Sequence, residues 1–283
     1  MSIPAVAYRW IALLPLTTLP STTDIDLLVL HDAFVTADPS VWIQYDYVST
    51  GKPGKTVTDQ LAELRAESID ILKRRYYGAN VDTTGSKSIC LSGGSLQRTV
   101  DVVPSHWHDT LDWKRSGNKA DRDIYILDSH KHERLHNKPF MHIQQVETKC
   151  ISVCGALRKV IRLLKNIRYD ATPEIKLSSY DIASIAWHMS AEELRVPFGV
   201  DLLLVERARS HLKFVLDYPA YREKLWVPDR SRKIYEKPET VTATTRLYEE
   251  VDQLVKDIYR ELDPFGQIYD RPVNQVLAKA IYL

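Results

Sequence analysis

A short acidic motif that runs directly into an apolar segment is the feature that most constrains this chain. Asp24-Ile25-Asp26 is followed by Leu27-Leu28-Val29-Leu30, which has the composition of a buried strand. Side chains alternate across a strand, so Asp24 and Asp26 share one face. Adjacent carboxylates repel each other unless a proton or a cation compensates them. The motif therefore predicts a strand that begins at a cation site.

A second acidic strand is predicted from Thr99 to Pro104, where Asp101 lies in a β-branched run. On a neighbouring strand, Asp101 would form a set of three carboxylates with Asp24 and Asp26. Mg²⁺ accepts such oxygens readily, and the set could hold two ions about 3.5–4 Å apart. An Asp-x-Asp motif alone also occurs in turns and at strand ends. The second strand is therefore what favours a two-metal phosphoryl-transfer site.

Composition limits the classes of function. The chain has 283 residues, 44% of them apolar, and can bury one large core or two fused lobes. Its formal net charge of +1 means that any site for a polyanion must come from local clustering. Cys90, Cys150 and Cys154 lack metal-binding spacing, which favours buried thiols in a reducing cytosol. The apolar stretch from Trp10 to Leu16 is too short to span a bilayer, so we expect a cytoplasmic protein with no membrane partner.

Periodicity predicts a first half of mixed strands and helices. A helix capped by Thr56 or Thr58 carries apolar residues at helical spacing through Arg75. The segment Ser92–Ser95 lies between two strand-like runs and predicts a hairpin whose returning strand carries Asp101.

Beyond about residue 140 the pattern becomes helical. Alternating three- and four-residue spacing predicts one helix from about Val146 to Ile167. Its core stripe is expected to be Ile151, Cys154, Leu157, Ile161 and Leu164.

Histidine is concentrated in one stretch, with six of the nine at His106, His108, His130, His132, His136 and His142. A zinc site at His106 and His108 is one interpretation of this stretch. We favour exposed loop histidines instead. Zinc sites in a polar segment of this kind usually recruit cysteines, and none lies between Cys90 and Cys150.

The order of these motifs resembles the nucleotidyltransferase superfamily related to polymerase β. After the two acidic strands come Asn137–His142, a basic helix that ends at Arg162–Asn166, and then Leu177–Ile182. This order is most similar to the bacterial CD-NTases, relatives of cyclic GMP-AMP synthase and oligoadenylate synthase. The resemblance covers roughly residues 20–190.

The resemblance implies an α+β, bilobal fold with a small mixed β-sheet catalytic lobe at 1–140 and a mostly helical lobe at 141–283. It implies an enzyme that depends on two Mg²⁺ or Mn²⁺ ions, with Asp24, Asp26 and Asp101 as metal ligands and catalytic residues. NTP donors, ATP being favoured, would be joined into a cyclic or linear oligonucleotide second messenger in bacterial antiphage signalling. A downstream effector protein is among the partners that the resemblance implies.

The resemblance also implies a set of nucleotide-binding residues. A lysine at the end of the basic helix, a serine at the next helix start and the following aromatic match Lys165, Ser179 and Tyr180. An ammonium group neutralises phosphate, helix N-termini favour anions, and an aromatic ring stacks on a base. The simpler alternative is that Ser178 or Ser179 only caps the helix, with Tyr180 packed beside it.

The amino terminus departs from the superfamily pattern. Members carry a Gly-Ser pair on a turn shortly before the Asp-x-Asp motif, and here no glycine precedes Gly51. Three explanations are open: a natural start farther upstream, another phosphate grip such as Ser21, Thr22 and Thr23, or loss of catalysis.

Two further functions therefore stay in view. One is a toxin-type nucleotidyltransferase that modifies tRNA or protein, although a nucleic-acid acceptor is not favoured by the near-neutral charge. The other is a catalytically impaired protein that binds nucleotides without turning them over.

Overall fold

The computed structural model describes residues 8–13, 25–46, 54–265 and 271–278. The chain divides into two compact units, Met1–Ile143 and Gln144–Leu283. The boundary between residues 140 and 141, and the assignment of a catalytic lobe to the first part, stay predictions.

The first unit is built on a mixed sheet. Its strands are β1 (Tyr8–Leu13), β2 (Ile25–Ala37), β3 (Asn80–Asp82), β4 (Ile89–Ser92), β5 (Val100–Asp109), β6 (Asp123–Asp128) and β7 (Glu133–Asn137). The sheet has the order β1-β2-β5-β4-β3, and β6 pairs with both β5 and β7. Strands β2 and β5 are parallel, whereas the other pairs are antiparallel. The predicted hairpin is confirmed, because β4 and β5 pair around it.

Helices accompany this sheet. They are α1 (Pro39–Tyr45), α2 (Val57–Arg75), α3 (Leu111–Ser116) and α4 (Pro139–Ser152), in which the division between the units falls, with a 3₁₀ turn at Lys119–Asp121. The predicted start of α2 is confirmed: the Thr56 hydroxyl accepts from the Asp59 backbone N–H, and the Asp59 carboxylate accepts from the Thr56 backbone N–H.

The two faces of the sheet have different cores. Leu61, Leu64 and Leu72 of α2 pack against Val29 of β2 and Val102 of β5. On the other face, a second cluster contains Leu28, Leu30, Trp107 and Ile124, with Phe140 packed against it. Strand β2 is thus apolar on both sides, which explains its continuous Leu27–Leu30 run.

The histidine prediction is partly wrong. His106, His108 and His142 are buried. His130, His132 and His136 are exposed as expected, but His136 lies on strand β7 and not in a loop. His106 stacks on Tyr125, with ring centroids 5.5 Å apart. The strand pairing explains this, because β5 continues to Asp109 and so carries two histidines into the sheet.

The second unit is helical in its described part. It comprises α5 (Ala156–Asp170), α6 (Ser179–Trp187), α7 (Ala191–Leu194), α8 (Leu203–Asp217), α9 (Pro219–Arg222), α10 (Pro238–Leu262) and α11 (Val273–Leu277). Together with the sheet of the first unit, this confirms the α+β prediction. None of the described helices combines the length and the apolar run needed to cross a bilayer.

The single helix predicted from about Val146 to Ile167 is wrong. It is interrupted between α4 and α5, where Cys154 and Gly155 both have positive φ angles of 52° and 84°. Leu157, Ile161 and Leu164 are buried as predicted, but Ile151 is 71% exposed because the interruption changes the phase of the helix. Cys150 is buried and Cys154 exposed, so the expectation of buried thiols fails for Cys154.

Candidate active site

Asp26 and Asp101 lie opposite each other on β2 and β5, as Cα partners in the parallel register. Neighbouring strands are about 4.7–4.9 Å apart, and register partners point to the same face. Asp26 is exposed and Asp101 half-buried. The sheet therefore presents two carboxylates side by side at a position that water and ligands can reach.

The apolar residues that follow each aspartate fix this register. Leu27 packs against the α2 side of the sheet, whereas Leu28 packs against the side of Trp107. A slip of one residue would exchange the two faces, and β2 would lose its fit to both clusters. Burial of the strand interior thus determines where the carboxylates meet.

Asp24, the third predicted carboxylate, lies outside the described residues, as do Ser21, Thr22 and Thr23. Within the described ranges no group of three or more His, Cys, Asp or Glu side chains is arranged to hold a metal ion. The described part of the site therefore holds two of the three predicted ligands. Their chemistry fits Mg²⁺, which prefers carboxylate oxygens and usually takes only one or two from the protein.

The line of register partners that contains Asp26 and Asp101 continues across the sheet to a cysteine. Cys90 of β4 is the register partner of Asp101, and Asp82 of β3 is the partner of Cys90. Cys90 is half-buried and reduced. Sequence reasoning treated Cys90 only as a structural thiol. The hairpin signal could have revealed its place, since it puts β4 directly beside β5.

In the second unit, the two serines at the N-terminus of α6 have different roles, which the sequence left open. Ser178 is the N-cap, and its hydroxyl accepts from the Asp181 backbone N–H at 2.9 Å. Ser179 lies inside the first turn, where its hydroxyl accepts from the Arg168 guanidinium at 3.4 Å. The Ser179 hydroxyl is thus not used for capping and lies beside a positive charge.

Lys165 lies on α5 and is half-buried. Arg168 follows it by three residues on the same helix, so the two basic side chains share one side of α5. Sequence reasoning did not single out Arg168, although this spacing from Lys165 was a usable signal. Arg168 also donates to the Leu177 carbonyl at 3.0 Å, which ties α5 to the start of α6.

Tyr180 is held by a loop that is distant in sequence. Its hydroxyl donates to the Asp229 carboxylate. Burial, followed by this hydrogen bond, raises the pKa of Tyr180, so the phenol stays protonated. The Arg232 guanidinium lies 5.6 Å from the Tyr180 ring centroid and pairs with Asp181 at 2.6 Å. Asp229 itself is buried.

Comparison with known proteins identifies the fold. The chain resembles the solved structure of a STING-associated CdnE c-di-GMP synthase from Flavobacteriaceae sp., with a TM-score of 0.74 and 20% identity over 90% of this chain and 77% of that one. It also resembles the Rhodothermus marinus CdnE c-UMP-AMP synthase solved with Apcpp and Upnpp, with a TM-score of 0.65 and 14% identity over 90% and 86% of the two chains. The fold is that of the polymerase-β-like nucleotidyltransferases.

Sequence comparison identifies relatives of the chain. The chain is 36% identical over 243 residues to the cyclic dinucleotide synthase CdnE of Yersinia aleksiciae, a match that spans 85% of this chain and 63% of the relative. No family model matches. The chain is thus similar to the CD-NTases, nucleotidyltransferases that in general depend on metal ions. It spans less than two thirds of the length of the curated relatives that it matches.

Proposed function

We propose that this chain is a nucleotidyltransferase that joins nucleotides from NTP donors into a cyclic or linear oligonucleotide. The observation that carries the proposal is the parallel register that brings Asp26 beside Asp101. A like-charged pair on adjacent strands costs free energy, and a bound cation offsets that cost. The kinship with cyclic dinucleotide synthases supports the same conclusion.

Asp24, Asp26 and Asp101 would hold two Mg²⁺ or Mn²⁺ ions in this proposal. Bound there, the ions would lower the pKa of the attacking hydroxyl and neutralise charge on the phosphates. The residues of the chain supply the oxygen donors, and the strand register fixes the direction in which two of them point.

The chain's own groups have defined tasks in the transfer. Asp101 would accept the proton of the attacking ribose hydroxyl, whose oxygen forms the new bond to the α-phosphorus. The bond from that phosphorus to the bridging oxygen breaks, and pyrophosphate leaves with the electron pair. Asp101 is half-buried, so its carboxylate lies close to the sheet and is still accessible to a substrate.

The nucleotide would be bound by Lys165, Ser179 and Tyr180, to which we add Arg168. Two cations and a helix N-terminus provide complementary charge for a triphosphate. The Tyr180 ring would stack on a base, and the hydrogen bond to Asp229 holds that ring in place.

The product would be a second messenger in antiphage signalling, recognised by an effector protein. Among the similar proteins, one is named a c-di-GMP synthase and another a c-UMP-AMP synthase. The bases therefore differ between relatives, and we propose NTPs as the substrate class, with ATP among them.

The test is to incubate the protein with all four α-labelled NTPs and Mg²⁺ or Mn²⁺, and to separate the phosphatase-resistant products. The matched pair of variants is Asp26→Ala and Asp82→Ala, because both aspartates lie in one row of the sheet but only Asp26 is a register partner of Asp101. A resistant small product that Asp26→Ala abolishes and Asp82→Ala retains is the expected result.

Two other results would contradict the proposal. Label on RNA or protein would indicate a macromolecular acceptor instead. Metal-independent nucleotide binding without any product would indicate a binding protein.

A further inference from the structure

An apolar pocket lies in the first unit, on the side of the sheet that carries α2. Its volume is about 330 Å³, and it is lined by Leu27, Ile71, Leu72, Arg75, Tyr76, Leu91, Leu96, Val100 and Val102. Pockets that bind small molecules have volumes of roughly 300–1,000 Å³ and mostly apolar linings with a few polar groups. The volume and the mostly apolar lining of this pocket are both in that range.

The floor of this pocket is the reverse side of the strands that carry the acidic pair. Leu27 follows Asp26 directly, and Val100 and Val102 flank Asp101. Alternation along each strand places these three side chains on the face opposite the carboxylates. Only the thickness of the sheet separates a molecule in the pocket from the backbone that positions Asp26 and Asp101.

The lining indicates the chemistry of the occupant. Seven of the nine residues are Leu, Ile or Val, so the enclosed part of a ligand must be apolar. The polar groups are the Arg75 guanidinium and the Tyr76 hydroxyl, on exposed residues at the end of α2.

Arg75 is available for an anionic group. Its neighbour Arg74 pairs with Asp70, whereas Arg75 forms no ion pair with any residue in the described part of the chain. A planar guanidinium binds carboxylate or sulfonate oxygens through two hydrogen bonds.

We propose that the pocket binds a small amphipathic anion, with its apolar body between α2 and the sheet and its acidic group at Arg75, and that occupancy changes the activity of the acidic pair. The second part rests on the proposed function, whereas the first does not. Interiors are close-packed, so a ligand that fills the pocket better in one arrangement of β2 and β5 favours that arrangement.

Binding is tested with 8-anilinonaphthalene-1-sulfonate, an aromatic probe with one sulfonate, by fluorescence titration and calorimetry. We expect one site per chain and about tenfold weaker binding to Arg75→Gln, from loss of one charge-assisted contact. Arg74→Gln is the matched control and should bind as the unmodified protein does. Equal affinity of the two variants, or no saturable binding, would overturn the site.

A pocket-filling variant provides an independent readout. Leu96 is half-buried in the loop between β4 and β5, so Leu96→Trp can place an indole in the pocket. It should abolish probe binding while its thermal unfolding stays cooperative. If Leu96→Trp does not fold, Leu96→Phe takes its place. A folded filling variant that binds the probe normally would contradict the proposal.

The regulatory part is tested by measuring pyrophosphate release at saturating probe. We expect a change of at least about twofold in the unmodified protein and none in Leu96→Trp; binding that leaves turnover unchanged would overturn this part. If the protein makes no product without the probe, the proposed function fails, and the titrations still decide whether the pocket is a binding site.

Discussion

The two units position their candidate functional residues by different means. In the first unit, backbone pairing between β2 and β5 sets Asp26 beside Asp101. In the second unit, side-chain hydrogen bonds hold the set, with Arg168 on Ser179 and Tyr180 on Asp229. A strand register is either right or wrong, whereas a hydrogen-bonded set can be weakened one contact at a time. The effects of substitutions on activity should therefore differ in size between the two units.

The largest effect is expected for Asp101→Asn. The amide keeps the shape of the side chain but loses the charge and the basic oxygen, so pyrophosphate release should fall at least about 100-fold. Removing one of two adjacent like charges relieves repulsion, so the thermal midpoint without metal should not fall. Initial rates and melting curves, beside Asp82→Asn, measure both. An active Asp101→Asn would show that the register pair is not the catalytic pair.

An intermediate effect is expected for Tyr180→Ala. Base stacking is worth about 1–3 kcal/mol, so the KM for the NTP should rise about tenfold or more. Tyr180→Phe keeps the ring and loses only the bond to Asp229, so its KM should rise by a smaller factor. Tyr169→Ala serves as control, since Tyr169 is 64% exposed on α5. Equal effects of Tyr180→Ala and Tyr180→Phe would place the importance in the hydroxyl instead of the ring.

Acid should destabilise the sheet unit through His106. Burial is the main cause that lowers the pKa of His106 from 6.5 to about 3, with smaller contributions from Arg134, His108 and His31. Because the folded pKa lies below the unfolded one, the unfolded chain takes up the proton first as pH falls. The contribution of neutral His106 to the free energy of unfolding is therefore fully present above about pH 6.5. It is lost between pH 6.5 and 3, by about 1.4 kcal/mol per pH unit.

Urea denaturation between pH 7 and pH 4.5 measures that slope. His106→Gln cannot titrate and should show a shallower loss of unfolding free energy than the unmodified protein. His130→Gln, at an exposed position, is the control and should keep the original slope. Parallel slopes for His106→Gln and the unmodified protein would mean that other groups cause the acid sensitivity.

The smallest effect is expected for Arg168→Gln. The contact with Ser179 is long, at 3.4 Å, so its loss should raise the KM for the NTP by only about two- to fivefold. The effect should shrink as salt is added, because screening weakens the remaining attraction to phosphate. Arg260 forms an exposed ion pair with Asp257, so Arg260→Gln should change neither the KM for the NTP nor its salt dependence. An effect of Arg168→Gln as large as that of Asp101→Asn would remove the contrast between the units.

Local signals were sufficient for several elements. Thr56 and Asp59 are three residues apart and specify the start of α2, and the β4–β5 hairpin is set by a few residues around Gly93 and Gly94. The α4–α5 interruption was missed because apolar spacing continues through it. Gly155 was the available signal, since a glycine at positive φ commonly marks a helix end.

The candidate site divides in the same way. Asp26 and Asp101 could be expected to meet because each lies next to an apolar run that only one register can bury. Asp229 could not be assigned to Tyr180 from sequence, because 49 residues separate them and the contact depends on how the loop after α9 folds back. Arg232 could not be assigned to the Tyr180 ring for the same reason.

The parallel pairing of β2 and β5 also has a consequence during protein synthesis. Asp101 follows Asp26 by 75 residues, so the second strand of the pair is synthesised well after the first. At about 5–20 residues per second, a ribosome needs several seconds to translate that interval. A nascent chain that ends before Val100 has β2 but lacks the strand that supplies its charge partner. The paired carboxylates are therefore a property that the chain acquires only when the centre of the sheet closes.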